Sequence, residues 1–77
     1  MIEILVPLEI PEDEEVLVLE VTVESGQKVM ASQIIFVLET SKTTYEIVAE
    51  QTGIVYHSQS EGSECKAGDI LGRIDVP

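Results

Sequence analysis

Hydrophobic residues along the chain occur in short runs separated by glycine, serine, proline and acidic residues. Val, Ile, Thr, Tyr and Phe dominate these runs and favour β-strands, while no segment has the period of a useful helix. The pattern predicts six strands: Ile2 to Val6, Leu17 to Glu24, Ile34 to Glu39, Thr44 to Ala49, Gly53 to Gln59 and Ile70 to Asp75. Turns are expected near Pro11 to Glu15, Ser25 to Lys28, Thr40 to Thr43 and Glu61 to Gly68.

The second predicted strand alternates in part between apolar and polar residues. One parity contains only apolar residues and the other is mostly polar: Leu17, Leu19, Val21 and Val23 against Val18, Glu20, Thr22 and Glu24. Successive side chains of a strand point to opposite faces, so this pattern indicates a half-buried strand.

An internal repeat with an offset of 36 residues divides the chain into two similar halves. The repeat aligns residues of the same type: Gly26 with Gly62, Ala31 with Ala67 and Ile34 with Ile70. Each glycine follows a strand and can supply the positive φ of a tight turn. Neither half can bury a face alone, so we expect one all-β domain over residues 1–77, a flattened antiparallel β-barrel or sandwich of two quasi-two-fold-related halves.

The acidic composition of the chain disfavours some classes of binding partner. Among 77 residues, 4 Lys and Arg face 15 Asp and Glu, which gives a formal net charge of -11. So negative a surface repels nucleic acid and anionic membranes. No signal peptide is visible, and the longest apolar run, Ile34 to Leu38, is far shorter than the roughly 20 residues of a membrane helix. The single cysteine excludes an internal disulfide, and we expect a reducing, cytoplasmic location.

Lys42 lies at a point where the two halves differ. The first half continues from the strand Ile34 to Glu39 into Thr40-Ser41-Lys42-Thr43, and the second half has no such continuation in this sequence. Strand-forming residues flank this tetrapeptide, and serine and threonine bond nearby backbone groups in tight turns. We therefore expect a β-hairpin whose tip exposes Lys42 to a modifying enzyme.

Two glycines lie at characteristic distances from this lysine: Gly26 is 16 residues before it and Gly53 is 11 residues after it. With these spacings the chain resembles the biotinyl/lipoyl carrier domains over nearly its whole length. Further residues fall at family positions: Val6-Pro7, Ala31, Ile47, Ala49 and Ala67. The resemblance implies a lipoyl/biotinyl-like barrel with a prosthetic group attached covalently to Lys42 on a protruding hairpin.

The neighbours of Lys42 favour lipoate over biotin. Biotinyl domains typically read Ala-Met-Lys-Met, whereas the only methionines here are Met1 and Met30. Lipoyl domains more often read Glu-Thr-Asp-Lys-Ala, of which this chain keeps the Glu and Thr and replaces Asp with Ser and Ala with Thr. The resemblance thus implies covalent lipoate on Lys42, with biotin as the alternative. It also implies hairpin or ligase-recognition roles for the surrounding positions: Glu39, Thr40, Ser41, Thr43, Gly26 and Gly53.

The function that this resemblance implies is a swinging-arm acyl carrier of a 2-oxo acid dehydrogenase-type complex. The chain would be a substrate and not an enzyme. Its partners would be a lipoate-protein ligase and the decarboxylase, acyltransferase and dihydrolipoamide dehydrogenase components, and the isolated domain would be monomeric. Two alternatives remain open: a biotin carboxyl carrier, or an unmodified lipoyl-like module for assembly or interaction.

An acidic loop, Ile10 to Glu15, follows the first strand. In related lipoyl domains this loop lies near the lysine hairpin, which implies a role in choosing a basic partner site. The alternative is a solvated turn that keeps the domain soluble. Elsewhere, Cys65 aligns with Val29 in the repeat and is expected to be a small core residue. The lone His57 is expected at the surface or rim of a strand, without a metal or catalytic role.

Overall fold

The structure is a computed structural model that describes the whole chain, Met1–Pro77. It contains eight strands: β1 (Ile2–Leu5), β2 (Val16–Val21), β3 (Lys28–Val29), β4 (Ile34–Glu39), β5 (Thr44–Val48), β6 (Gly53–His57), β7 (Glu64–Cys65) and β8 (Ile70–Asp75). All six predicted strands are confirmed, and β4 and β8 have the predicted bounds. Of the two additional strands, β7 lies within a segment predicted as a turn, and β3 begins at Lys28, the last residue of another predicted turn. Each has only two residues, too few to show an alternating pattern.

Two antiparallel four-stranded sheets make up the fold. One has the strand order β1-β8-β6-β3 and the other has the order β5-β4-β2-β7. The short strands connect the two halves, because β3 pairs with β6 while its neighbours in the chain, β2 and β4, belong to the other sheet. In the same way, β7 leaves its own half and pairs with β2. The all-β, barrel-like sandwich of two related halves is therefore confirmed.

The 36-residue repeat is visible in the hydrogen bonds of the turns that follow β3 and β7. In the first turn, Gln33 N–H donates to the Met30 carbonyl at 3.0 Å, and Met30 N–H donates to Gln33 Oε1 at 3.0 Å. In the second, Asp69 N–H donates to the Lys66 carbonyl at 3.0 Å, and Lys66 N–H donates to Asp69 Oδ2 at 2.8 Å. The two halves thus use the same turn, closed once by an amide and once by a carboxylate.

The core lies between the two sheets and is entirely apolar. Fifteen buried residues from both sheets and their connections form one cluster: Ile4, Val6, Ile10, Val16, Val18, Val23, Val29, Ile35, Phe36, Leu38, Ala49, Val55, Cys65, Leu71 and Ile74. Phe36 is the largest fully buried side chain. No polar or charged side chain is buried, so the charges lie on the surface around this core.

The alternation predicted for the second strand is interrupted by a β-bulge. Val16 and Val18 are fully buried, whereas Leu19 is 45% exposed. The register with β4 shifts between Val18 and Glu20, so one extra residue enters the strand at that point. A shift by one residue exchanges which side chains of the strand face the core. Even-numbered Val16 and Val18 are buried before the bulge, and odd-numbered Val23 is buried after it. The single predicted parity was therefore wrong for the first half of this strand.

None of the chain forms a helix long and apolar enough to cross a membrane.

Candidate functional site

The tip of the β4–β5 hairpin is a four-residue turn organised by Thr40. The Thr40 N–H donates to the Thr43 carbonyl at 2.8 Å, which closes the turn. The Thr40 Oγ1 accepts the N–H groups of Lys42 and Thr43, both at 3.2 Å. Thr43 itself is exposed, and the strand pair Glu39 and Thr44 follows directly below the turn. The Thr40 hydroxyl thus accepts hydrogen bonds from two backbone N–H groups that have no strand partner in the turn.

Lys42 is exposed at this tip, as the sequence predicts. Its amine has no salt-bridge partner, since the one ion pair of the molecule joins Arg73 and Asp75 at 3.4 Å. Its backbone, in contrast, is held by the Thr40 hydroxyl. A free amine on a fixed turn is suited to forming an amide with the carboxyl group of lipoate or biotin, so the residues present fit either group.

Glu14 joins the acidic loop to the hairpin. Its Oε1 accepts the Ser41 hydroxyl at 2.6 Å and the Ser41 N–H at 3.2 Å. These hydrogen bonds, with smaller contributions from the positive charges of Lys42 and Lys66, lower the pKa of the Glu14 carboxyl below its ordinary value of 4.5. The group is therefore ionised at neutral pH, and a carboxylate lies next to the residue that precedes Lys42.

The expected proximity of loop and hairpin is thus present, but the pair that makes it was not predicted. Glu14 and Ser41 are separated by 27 positions, and four acidic residues in succession give no indication of which one will reach the tip. On the hairpin side, the one sequence signal is that Ser41 replaces the aspartate of the lipoyl-like pattern, and Ser41 is the residue that Glu14 contacts.

Gly26 and Gly53 lie outside the hairpin, in the turn and at the strand start where the sequence predicts them, so of the two implied roles only ligase recognition stays a prediction for them. Gly26 has a φ of 91° in the turn before β3, and its N–H donates to the Val55 carbonyl at 2.7 Å. Gly53 begins β6 and pairs with Val29. The hairpin tip and base are separated by the length of β4, about 17 Å at the usual rise of a strand, and Gly53 follows the base. Both glycines therefore shape the scaffold, Gly26 through its positive φ and Gly53 through its pairing with Val29.

Cys65 and His57 lie where the sequence predicts. Cys65 is buried on β7, and its Sγ donates to the Val16 carbonyl at 3.5 Å. Burial, with a smaller effect from the charge of Asp69, raises the pKa of this thiol, which disfavours the reactive thiolate. His57 is half-buried at the end of β6. No group of three or more His, Cys, Asp or Glu side chains is arranged to hold a metal ion.

The surface around Lys42 has no cavity. The largest depression, about 450 Å³, lies beside the chain terminus and is lined by Lys28, Thr52, Gly53, Ile54, Asp75, Val76 and Pro77. Another, of about 260 Å³, lies among the charged side chains around Cys65. None of these depressions is lined by Lys42, which lies on an exposed turn.

The two related sheets, the apolar core and the exposed hairpin lysine define a carrier domain for a covalently attached prosthetic group. The chain belongs to the biotin/lipoyl attachment family, since the model of that family, described as "Biotin-requiring enzyme", matches residues 2–74. Domains of this family carry lipoate or biotin on a lysine and are not themselves catalytic. A search of curated proteins finds no match.

Proposed function

We propose that this domain is a swinging-arm acyl carrier, lipoylated on Lys42, that serves a 2-oxo acid dehydrogenase-type complex. The observation that carries the proposal is the composition of the hairpin tip. In the sequence, Lys42 lies between two residues with hydroxyl side chains, Ser41 and Thr43, and its backbone is part of a turn held by Thr40. No methionine flanks the lysine, although flanking methionines are typical of the biotinyl branch.

The residues of the domain would present the arm and leave the chemistry to the prosthetic group. A lipoyl group supplies a disulfide that can accept electrons together with an acyl group. Attachment converts the Lys42 amine into a neutral amide, which changes the formal net charge from -11 to -12. The turn fixes where the arm begins, and tethering raises the effective concentration of the carried group at each partner.

The partners we propose are a lipoate-protein ligase and the decarboxylase, acyltransferase and dihydrolipoamide dehydrogenase components. The acidic residues of the loop, Glu12 to Glu15, lie on the same end of the molecule as Lys42, because Glu14 contacts Ser41. An approaching active site would therefore meet several carboxylates together with the arm. Such a surface favours an entrance lined by Lys and Arg.

Parallel modification reactions on the folded protein test this proposal. The protein is incubated with ATP and either lipoate plus a lipoate ligase or biotin plus a biotin ligase, and its intact mass is measured. We expect the gain of one lipoyl group, abolished in Lys42→Arg, which keeps the charge. Lys66→Arg is the matched control, because Lys66 is another exposed turn lysine that should not be modified, and this variant should gain the same mass as the wild type.

Each other outcome assigns a different function. A gain of one biotin on Lys42, with none from the lipoate reaction, would overturn the acyl-carrier proposal in favour of carboxyl transfer. No gain in either reaction, with the fold verified by circular dichroism, would overturn it in favour of an unmodified interaction module.

A further inference from the structure

Ser41 is held by a residue from a distant part of the chain, in contrast to the rest of the hairpin tip. The backbone N–H groups of Lys42 and Thr43 bond to Thr40 within the turn. The N–H and the hydroxyl of Ser41 instead both bond to one oxygen of Glu14, which lies in the loop between β1 and β2. This side-chain contact is thus a direct connection between the acidic loop and the turn that carries Lys42.

The contact matters because the other hydrogen bonds near the tip stay within one segment: Thr40 bonds to Lys42 and Thr43 inside the turn, and the Glu14 N–H donates to the Pro11 carbonyl inside the loop. Ser41, Lys42 and Thr43 are exposed, and the loop residues Glu12 and Asp13 are exposed too. Short exposed turns sample alternative conformations when few bonds hold them. A carboxylate that accepts two donors of one residue restricts that residue's backbone and orientation, since charge-assisted hydrogen bonds are stronger than neutral ones.

We propose that Glu14 is a positioning residue for the modification of Lys42: it holds Ser41, and through it the next residue, in the conformation in which a ligase receives the amine. This inference rests on the proposed function for its ligase, and on the Glu14–Ser41 hydrogen bonds for its geometry. Glu14 does not touch the lysine amine through a hydrogen bond or ion pair within 4.0 Å, so it acts through Ser41 and not on the reacting atom.

Four variants separate positioning from charge. Glu14→Gln removes the charge and keeps an oxygen that can accept both Ser41 donors. Glu14→Ala removes charge and acceptor together. Ser41→Ala removes the hydroxyl bond and keeps the N–H bond. Glu12→Gln is the matched control, because Glu12 is an exposed carboxylate of the same loop that makes no hydrogen bond.

Hydrogen exchange of the Ser41 amide tests the geometry without any ligase. The wild-type amide should exchange about threefold to tenfold more slowly than in Glu14→Ala, as expected for one exposed charge-assisted bond. Glu14→Gln should lie between the two, and Glu12→Gln should match the wild type. Equal exchange in the wild type and Glu14→Ala would overturn the inference, whatever the ligase does.

Ligase kinetics on the same variants test the consequence for modification. Glu14→Ala should raise the KM for the domain about threefold to tenfold and leave kcat within about twofold, because fewer molecules present the competent turn. Ser41→Ala should show a smaller rise, and Glu14→Gln should restore most of the loss. If Glu14→Gln is as impaired as Glu14→Ala, the role is one of charge and the positioning inference fails. An unchanged KM in Glu14→Ala also overturns it.

The proposed function and the positioning role of Glu14 can be contradicted separately. A wild-type protein that no lipoate ligase modifies contradicts the proposed function, while hydrogen exchange still decides whether Glu14 holds the turn. If Glu14→Ala is lipoylated as efficiently as the wild type, the positioning inference is contradicted and the carrier function is not affected.

Discussion

Ser32 and Gly68 occupy the same place in the two halves of the domain, and both have a left-handed backbone, with φ of 73° and 86°. Their N–H groups make equivalent bonds across the sheet edge: Ser32 donates to the Ala49 carbonyl at 2.8 Å, and Gly68 donates to the Val6 carbonyl at 2.9 Å. The turn therefore requires a positive φ in both repeats, and only the second repeat meets it with glycine. Ser32 is the one non-glycine residue of the chain in this region.

Ser32→Gly should stabilise the domain. Serine pays a steric penalty in the left-handed region that exceeds the chain entropy glycine loses on folding, so the net gain should be about 0.5–1 kcal/mol. Chemical denaturation of the variant and the wild type measures the difference. The reverse substitution, Gly68→Ser, is the control and should destabilise by about 1 kcal/mol or more, because its Cβ would also approach Leu8 Cδ2 to 3.2 Å. A destabilised Ser32→Gly would contradict this description of the turn.

The sequence predicts the architecture well because the repeat constrains both halves at once. The offset that aligns Gly26 with Gly62 also aligns β3 with β7 and β4 with β8. The left-handed Ser32 was not predicted, because serine gives no local sign of a positive φ. The bulge at Leu19 was not predicted either, since a one-residue register shift is set by pairing with β4 and not by the local sequence.

The part of the candidate site that could be predicted is the hairpin turn, because its residues are consecutive in the sequence. The turn residues Thr40 to Thr43 lie between two strands, and this short-range pattern indicates an exposed Lys42. The contact between Glu14 and Ser41 depends on how β1, β2 and β4 are arranged in space, so no local pattern specifies it.

Gly53 and Gly26 should respond differently to replacement by alanine. A Cβ on Gly53 would lie 2.5 Å from the Asp75 carbonyl oxygen, a backbone atom of the neighbouring strand that cannot move freely. Gly53→Ala should therefore cost about 3 kcal/mol. Gly26 has open space around it, and only its positive φ opposes a side chain, so Gly26→Ala should cost about 1 kcal/mol. Urea denaturation compares the two, and an equal loss would contradict the close approach at Gly53.

Glu64→Gln should stabilise the domain at neutral pH. Protonated Glu64 can donate a hydrogen bond to the Glu15 carboxylate, and ionised Glu64 is repelled by it, so the pKa of Glu64 is raised above its ordinary value of 4.5. The folded state then binds this proton more tightly than the unfolded state. The free energy of unfolding therefore falls as pH rises through the raised pKa, and the unfavourable contribution is complete above it.

Thermal unfolding at a series of pH values tests the Glu15–Glu64 pair. The variant should have a higher Tm than the wild type at pH 7, and the difference should vanish as pH falls below 4.5. Glu61→Gln, which removes an exposed carboxylate of the adjacent turn, should not reproduce the effect. A Tm difference that grows toward low pH would have the wrong sign for this pair.

Phe36→Ala should lower the yield of modified protein to the extent that it lowers the folded fraction. Phe36 is fully buried, and its truncation should cost about 3–5 kcal/mol. A domain of this size has a total stability of only about 4–12 kcal/mol. If the ligase recognises the folded hairpin, the yield of modified protein should fall with the folded fraction, measured by circular dichroism on the same samples. Full modification of an unfolded variant would show that the local sequence around Lys42 is sufficient.

The acyl-carrier function proposed for this domain requires that Lys42 carries a lipoyl group in the cell. The most direct measurement is the intact mass of the protein purified from its natural source, followed by mass spectrometry of the peptide that contains residue 42. We predict a single lipoyl group, located on Lys42 and on none of the other lysines. A biotin on that lysine, or a wholly unmodified lysine in protein that a lipoate ligase fails to modify, would contradict the acyl-carrier account.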